Sequence, residues 1–449
     1  MTAPTRGRPA AAPAAEGGAP SGEVPDDLLD GLAAVLDLVR RGVARTRPEL
    51  ARASGLGRSA VAARVARLLE LGVLDEQGTA PSSGGRAPRE LSLRAGAGVV
   101  LVAPLGASRL TVGVTDLDGA LLASVEEPAD VAEGPGVVLA RVDELLEGLL
   151  AGLAGERGRP PVWGVGVGVP GPVEFASGRP NRPPIMPGWH DVDVRARMSE
   201  RWDAPTWVDN DVNLMALGEL SARRRASAAR GAGPSAPEDM LFVKVGTGIG
   251  AGLVARGDLL RGAHGCAGDI GHVEAPGGGE VVCRCGNTGC LEAVAGGAAL
   301  VRRAVALASE GASPVLARLL AAPAGLGVEE VVRAAHEGDR ASVEMVQASG
   351  RLVGQVLATL VNFLDPGLLV LGGRLGAGSD LLLASVRQGV YQRSLPLATR
   401  DLRVESALAG DDPGLAGAAV MVLDELFGRE QLRAWLPVGS PAGRRAAAA

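Results

Sequence analysis

Residues 264–292 read HGCAGDIGHVEAPGGGEVVCRCGNTGCLE, and no other stretch of the chain constrains its fold so tightly. Cys283, Cys285 and Cys290 fall within eight residues and are laced with Gly286 and Gly289, so a short loop can wrap around one ion. His272, with ten residues between it and Cys283, can supply a fourth corner. A Cys₃His set closes a tetrahedron around zinc and leaves no open position, which is the structural type of site. A redox pair or inert buried thiols are the alternatives. Cys266 lies outside the pattern and reads as a small packing residue. The expectation is one structural zinc per chain, held by His272, Cys283, Cys285 and Cys290.

Around this loop the composition describes a large globular chain. With 449 residues, 47% of them hydrophobic, it can fill several cores,. Aromatics make up only 2%, so those cores are built from Val, Leu, Ala and Ile. That scarcity also speaks against single-strand nucleic-acid binding, which stacks bases on aromatic rings. Lys244 is the sole lysine, and nearly all positive charge is arginine. The net charge of −6 hides an uneven distribution. Between positions 40 and 68 stand Arg40, Arg41, Arg45, Arg47, Arg52, Arg58, Arg64 and Arg67 against one acid, Glu49. A basic segment in an acidic chain is a footprint for phosphate.

Residues 1–25 lack the apolar core of a signal peptide and read as a disordered tail, as do residues 437–449. No run is long and apolar enough to span a bilayer, so no membrane partner is expected and the chain is read as cytoplasmic. In that compartment thiols serve metals more often than disulfides.

The basic segment lies in an ordered pattern. Residues 27–42 repeat apolar side chains at helical spacing, and Arg47–Ala53 forms a second short helix with Pro48 near its start,. Ser54-Gly55-Leu56-Gly57 is a tight turn. Ser59–Leu71 is a third helix with Val61, Val65, Leu68 and Leu69 on one face. Strands Val73–Glu76 and Glu90–Leu93 then flank a loop, SSGGRAPR, at 82–89. Helix, helix, turn, helix, hairpin is the order of a winged helix-turn-helix, assigned to residues 26–95. The third helix would enter the major groove with Arg58, Ser59 and Arg64 nearest the bases, and Arg47 belongs to the same basic surface. Arg86 and Arg89 on the wing suit phosphates or the minor groove. A small helical interaction module with a solvated arginine face is the alternative.

From residue 96 to 430 the pattern is α/β. Strands at Val99–Leu105, Leu110–Asp116 and Leu121–Ser124 are followed by a helix near 137–153 and strands at Val162–Val169 and Thr206–Val208. Leu241–Val245, Ile249–Ala255 and a third short strand begin the pattern again, followed by helices and a strand at Leu368–Leu371. The 221–239 stretch reads as a helix end and a mobile loop. Two halves of this kind suggest a duplicated fold with a cleft between lobes. Val208-Asp209-Asn210-Asp211-Val212-Asn213 lies where a strand ends and a helix begins, the usual ligand position in an open α/β sheet. An Asp there can act as general base toward a sugar hydroxyl and an Asn can bind its neighbour, although both residues also make ordinary helix caps. Val245-Gly246-Thr247-Gly248-Ile249-Gly250-Ala251-Gly252 can offer N–H groups to phosphate, or be only a tight hairpin.

Taken together these residues resemble the ROK family of repressors, open reading frames and kinases, over roughly residues 27–430. The resemblance implies an actin/hexokinase-like, duplicated ribonuclease-H-type pair of lobes behind the winged helix. The family's N-D-x-N segment is matched at Asn210, Asp211 and Asn213, which places a sugar-binding Asn at 210 and the catalytic Asp at 211. Its E-x-G-H motif, which contacts sugar while its His ligates zinc, is matched by Asp269-Ile270-Gly271-His272. The Glu of G-C-L-E, here Glu292, is a further implied sugar ligand. Gly246, Thr247, Gly248 and Gly250 resemble the second phosphate motif. Val167–Pro172 and Pro187-Gly188-Trp189 resemble landmarks near the sugar.

Two departures matter. The kinases' first phosphate motif, D-x-G-G-T, is replaced by Pro104-Leu105-Gly106-Ala107-Ser108, and proline offers neither charge for Mg²⁺ nor an N–H for phosphate,. Asp269 stands where the family has Glu, one methylene shorter. Phosphoryl transfer depends on positioning and charge neutralisation, so Asp211 is expected to be a vestigial base and Mg-ATP is not an expected cofactor. The implied protein is a sequence-specific regulator, in the first place a repressor. It would bind a double-stranded operator as a homodimer or tetramer and sense a small sugar. An ATP-dependent, glucokinase-like sugar kinase with an accessory DNA-binding head is the alternative, and a sugar-blind regulator a third.

Overall fold

The computed structural model describes residues 25–79, 88–156, 158–230, 239–323, 325–408 and 412–442. Its order follows from where apolar residues fall. β3 (Val99–Pro104) is buried at every position, and a strand apolar on both faces needs a layer on each side,. Val99, Leu101 and Ala103 join one core, while Val100 and Val102 join another. β4 (Arg109–Asp116) and β5 (Leu121–Pro128) complete an antiparallel meander on one side of β3. Past α4 (Pro135–Gly152), β6 (Val162–Val169) pairs parallel with β3 on the other side. A small hairpin of β7 (Val173–Glu174) and β8 (Arg179–Pro180) and helix α5 (Val194–Trp202) lead to β9 (Thr206–Asn210), parallel to β6. The sheet order is β5-β4-β3-β6-β9.

Helix α6 (Asp211–Ala229) crosses to the second lobe, which repeats the plan. There β10 (Met240–Val245), β11 (Ile249–Ala255) and β12 (Asp258–Leu260) form the meander. After them come α7 (Leu291–Ala295), α8 (Gly297–Ser309), α9 (Pro314–Leu320), α10 (Val328–His336) and α11 (Arg340–Leu364). The parallel strand β13 (Leu368–Gly372), α12 (Gly373–Gly378), α13 (Asp380–Arg393), α14 (Pro396–Thr399) and β14 (Arg403–Ser406) finish the sheet. Its order, β12-β11-β10-β13-β14, is that of the first, so the expected duplication is present. α15 (Pro413–Leu426) then returns to the first sheet, and α16 (Arg429–Trp435) ends the helices. Among the described residues no helix is long and apolar enough to cross a membrane.

The headpiece holds α1 (Asp26–Arg40), α2 (Arg47–Ser54), α3 (Arg58–Glu70), β1 (Leu74–Thr79) and β2 (Arg89–Leu93). Thr46 and Glu49 close a capping box at α2, and Gly55, at φ +70°, turns the chain toward α3,. One continuous core joins Leu29, Leu36 and Leu68 of the headpiece to Val422, Phe427 and Trp435.

Two expectations change. β5 runs to Pro128, not Ser124, because as an edge strand it is held by pairing with β4 and by the Arg109–Glu126 ion pair instead of by apolar side chains. Residues 437–442, read as part of a disordered tail, are described, and Ala442 packs on the headpiece core. The helix in the 221–239 stretch extends to Ala229. The expected tails at 1–24 and 443–449, the loop at 231–238 and most of the wing, including Arg86, lie outside the described residues.

Candidate functional site

Both sheets send their turns into one cavity of about 480 Å³, a size suited to a small ligand,. Asn210, Asp211, Gly246, Thr247, Gly248, Gly250, Asp269, His272 and Glu292 all line it. Asn210 is the N-cap of α6. Its Oδ1 accepts from Val212 N at 2.9 Å and Asn213 N at 3.4 Å, and its Nδ2 donates to Gly171 O at 2.9 Å. Its cap role and its place in the cavity therefore coexist. Beneath it, buried Asp209 accepts from Asn213 Nδ2 (2.8 Å), Arg261 Nε (2.7 Å) and Asn210 N (2.7 Å), which fixes the start of the helix. Asp211 itself is buried and forms an ion pair with Lys244 of β10.

The glycine turn between β10 and β11 is braced from outside. Glu292 Oε2 accepts from Ile249 N at 3.1 Å, and a side chain at Gly248 would collide with that carboxylate. Gly297 N and Ala298 N, at the start of α8, donate to Gly246 O and Thr247 O at 2.8 and 3.0 Å. Glu292 thus reaches the glycine turn as well as the cavity. Pro104 ends β3 at the cavity wall with its ring against Gly414, and residues 104–108 contribute no carboxylate there. Trp189 does not line the cavity. It is fully buried and donates its Nε1–H to Val131 O at 3.0 Å. Cys266, expected to pack, is exposed at the cavity rim, because Gly265 and Gly268 hold the surrounding loop at positive φ against β7 and β11.

His272 joins this cavity to the cysteine loop. Its Nε2 lies 3.9 Å from Asp269 Oδ1 and its Nδ1 3.5 Å from Cys283 Sγ. The cavity walls desolvate the Asp269 carboxyl and push its pKa up, with His272 opposing, even though 42% of the side chain stays exposed,. The ligand atoms of His272, Cys283, Cys285 and Cys290 all lie within 4.8 Å of one another. Cys285 Sγ and Cys290 Sγ are 3.7 Å apart, about the edge of a tetrahedron with metal–sulfur bonds of roughly 2.3 Å,. Gly286 and Gly289 adopt φ +94° and +70°, so the loop folds back and Cys283 N reaches Asn287 O at 2.7 Å,. Burial and the neighbouring sulfurs push the Cys290 thiol up to about 12, so all three sulfurs would be thiolates together only with a cation between them,. The donor set fits a metal ion.

On the headpiece, α3 presents Ser59, Ala62, Ala63, Ala66 and Arg67 outward, with exposed Arg58 at its first turn. Arg64 is not on that face. Its side chain is only 14% exposed and folds over α1, where Nη2 donates to Asp27 O at 3.2 Å and a side chain at Gly31 would collide with it. Three residues after buried Val61 and one before buried Val65, position 64 sits at the edge of the inward stripe,. Arg47 pairs with Glu76 of β1, and Arg89 approaches the same carboxylate at 3.8 Å while staying exposed.

The pattern of residues gave no sign of how headpiece and cavity connect. Asp412, Pro413 and Gly414 at the start of α15 line the cavity, and α15 lies along α6 so closely that a side chain at Gly218 or Gly417 would strike backbone. At its far end Trp163, Phe427 and Trp435 form a ring cluster with centroids 5.9–6.5 Å apart. Arg429 of α16 reaches Asp26 (2.7 Å) and Asp30 (3.2 Å), Arg433 pairs with Asp26, and Arg40 with Asp424.

Comparison with known proteins places this architecture. The ROK family model matches residues 104–425. A glucokinase of Halalkalibacterium halodurans is 30% identical over 71% of this chain and 93% of that protein. A xylose repressor of Caldicellulosiruptor bescii is 26% identical over 85% of this chain and 92% of its own length. The solved structure of a ROK family transcriptional regulator, a homolog of the E. coli MLC protein, superposes with a TM-score of 0.76 at 23% identity, covering 92% of this chain and all of that one.

Proposed function

The chain belongs to the ROK family, and from that premise we propose that it is a sugar-responsive transcription regulator, acting as a repressor. The observation that carries this reading is the single core that joins a helix-turn-helix headpiece to the family's two-lobed cavity. The span of the relatives supports it, since the repressor matches 85% of the chain and the glucokinase 71%. Pro104 supports it from the other side, because a sensor needs the sugar pocket and not the metal-nucleotide.

In this reading Asn210, Asp211, Asp269, His272 and Glu292 surround a sugar. His272 Nδ1, Cys283, Cys285 and Cys290 hold one structural zinc. Zinc contributes folding energy to the loop and fixes His272, leaving its other nitrogen for the cavity. Arg58 and Ser59 face the bases, while Arg47, Arg86 and Arg89 serve the phosphates. A homodimer in the cytoplasm would set two α3 helices on an inverted repeat. Sugar shifts DNA affinity only if the two lobe arrangements differ in their affinity for it.

Selection of duplexes by the full chain, followed by fluorescence anisotropy with and without D-xylose, D-glucose and their amino derivatives, tests this. One preferred operator whose affinity falls with one sugar is expected. No preference over random duplex at physiological salt overturns it. The kinase reading draws on Asp211 and the glycine turn facing one cavity and on the glucokinase relative. A coupled ADP-release assay decides it, with sugar-dependent turnover near roughly 1 s⁻¹ in its favour.

A further inference from the structure

Lys244 is the only lysine among the 45 Lys and Arg residues of the chain, and it stands in the cavity. On β10 it is the one strand residue that is not buried, and it shares with Phe242 the sheet face that α6 covers,. Its stem passes between the glycine turn that follows β10 and Gly373 at the start of α12. A β-carbon on Gly373 would lie 3.1 Å from Lys244 Cγ, and one on Gly246 would lie 3.6 Å from Cε. The ammonium ends on Asp211. An arginine would present a planar fork of five donors, whereas an ammonium is a compact charge with three donors, of which Asp211 takes one,.

We propose that Lys244 is a ligand-reading residue that, paired with Asp211, recognises a single sugar hydroxyl from both sides. This rests on the reading of the cavity as a sugar site. A hydroxyl both donates and accepts, whereas a carboxylate only accepts. Glu292 is already engaged by Ile249 N, and one amide hydrogen of Asn210 is spent on Gly171 O. Lys244 is the charged donor paired with Asp211 and keeps two ammonium hydrogens beyond that pair, so a hydroxyl can donate to Asp211 Oδ and accept from Lys244 Nζ. The same pair engages the carboxylate that would take a proton from an attacking hydroxyl, a second reason beside Pro104 for a cavity that binds without transferring phosphate.

A single lysine makes the test direct. Full-length protein labelled with [¹³Cε]-lysine has one lysine resonance. D-xylose, D-glucose, D-mannose and N-acetyl-D-glucosamine are titrated while melting temperature is followed. The sugar that stabilises the fold is expected to move this resonance at saturation. Lys244→Met should weaken that sugar roughly 10–100-fold. Deoxy analogues of the sugar add a readout that a merely structural lysine would not move: one missing hydroxyl should cost affinity in the wild type and little in Lys244→Met. A stabilising sugar that leaves the resonance still, or Lys244→Met binding it within about 2-fold of wild type, overturns the role of Lys244 and leaves the sugar site standing. If none of the four stabilises the protein, the sugar reading itself falls and this proposal with it. Should the variant not fold, the wild-type resonance alone decides.

Discussion

Trp435→Ala tests the junction between headpiece and cavity lobes. The indole is 1% exposed, donates to Leu426 O at 3.0 Å, and lies tilted at 5.9 Å from Trp163 and edge-to-face at 6.4 Å from Phe427. Truncating a buried tryptophan costs about 3–5 kcal/mol, a figure that already includes its ring contacts. The headpiece elements run from Asp26 to Leu93, fewer than 70 residues, and taken alone have about 3–5 kcal/mol of stability to draw on,. The loss is therefore of the order of the whole margin, and it falls where α16 meets α1. Calorimetry of the full chain should change from one transition to two, the first lowered by about 10 °C or more. Anisotropy on the selected operator should then show DNA affinity that no longer follows sugar. One transition within about 2 °C of wild type, with the sugar response intact, would refute the claim that this cluster joins the two parts.

Other outcomes follow from single sites. Elemental analysis of protein purified without chelators should find about one zinc per chain, lost in Cys283→Ser together with stability; less than about a tenth of an equivalent in folded protein excludes a structural ion. Arg58→Ala should cost about 1–3 kcal/mol at one operator position, whereas Arg64→Ala should lower the headpiece melting temperature and leave base preference unchanged, which competition against substituted operators would show. Asp211→Asn should raise the sugar needed for operator release roughly 10–100-fold, and a wild-type dose response would mean that the effector sits elsewhere.

Much of this protein was legible from local pattern. Buried strands such as β3 and β6 announce themselves by unbroken apolar runs, and the cysteine loop by spacing that few backbones other than a metal knuckle need. The duplication could be read because the same strand sequence occurs twice. Local pattern fails where a residue's role is set by something distant. Arg64 has the composition of a DNA contact, but the absence of a side chain at Gly31, 33 positions earlier, opens the space that draws its guanidinium inward. β5 outruns its apolar residues because pairing with β4 satisfies its backbone whatever the side chains are,. Lys244 and Asp211 lie on different elements, and only the stacking of α6 on β10 brings their charges together.

The same limit applies to α15, whose role is set by what it packs against. Its glycines, 414 and 417, look like poor helix formers, since each costs about 1 kcal/mol against alanine in a helix interior,. In the fold they are what permits contact. A side chain at Gly417 would strike the backbone of Leu214 in α6, and one at Gly414 would crowd the ring of Pro104. That stability is surrendered for a close crossing, so α6, which begins at Asp211, and α15, which begins at Pro413 behind its cap Asp412, form one packed unit. Fourteen residues of helix span about 21 Å, which carries α15 from the cavity wall to Phe427 beneath the headpiece,. A ligand that draws the lobes around Asp211 acts on a rod whose other end is seated in the three-ring cluster. Coupling of sugar to DNA then needs no chain of small adjustments, only a lobe rotation that the headpiece must follow or resist.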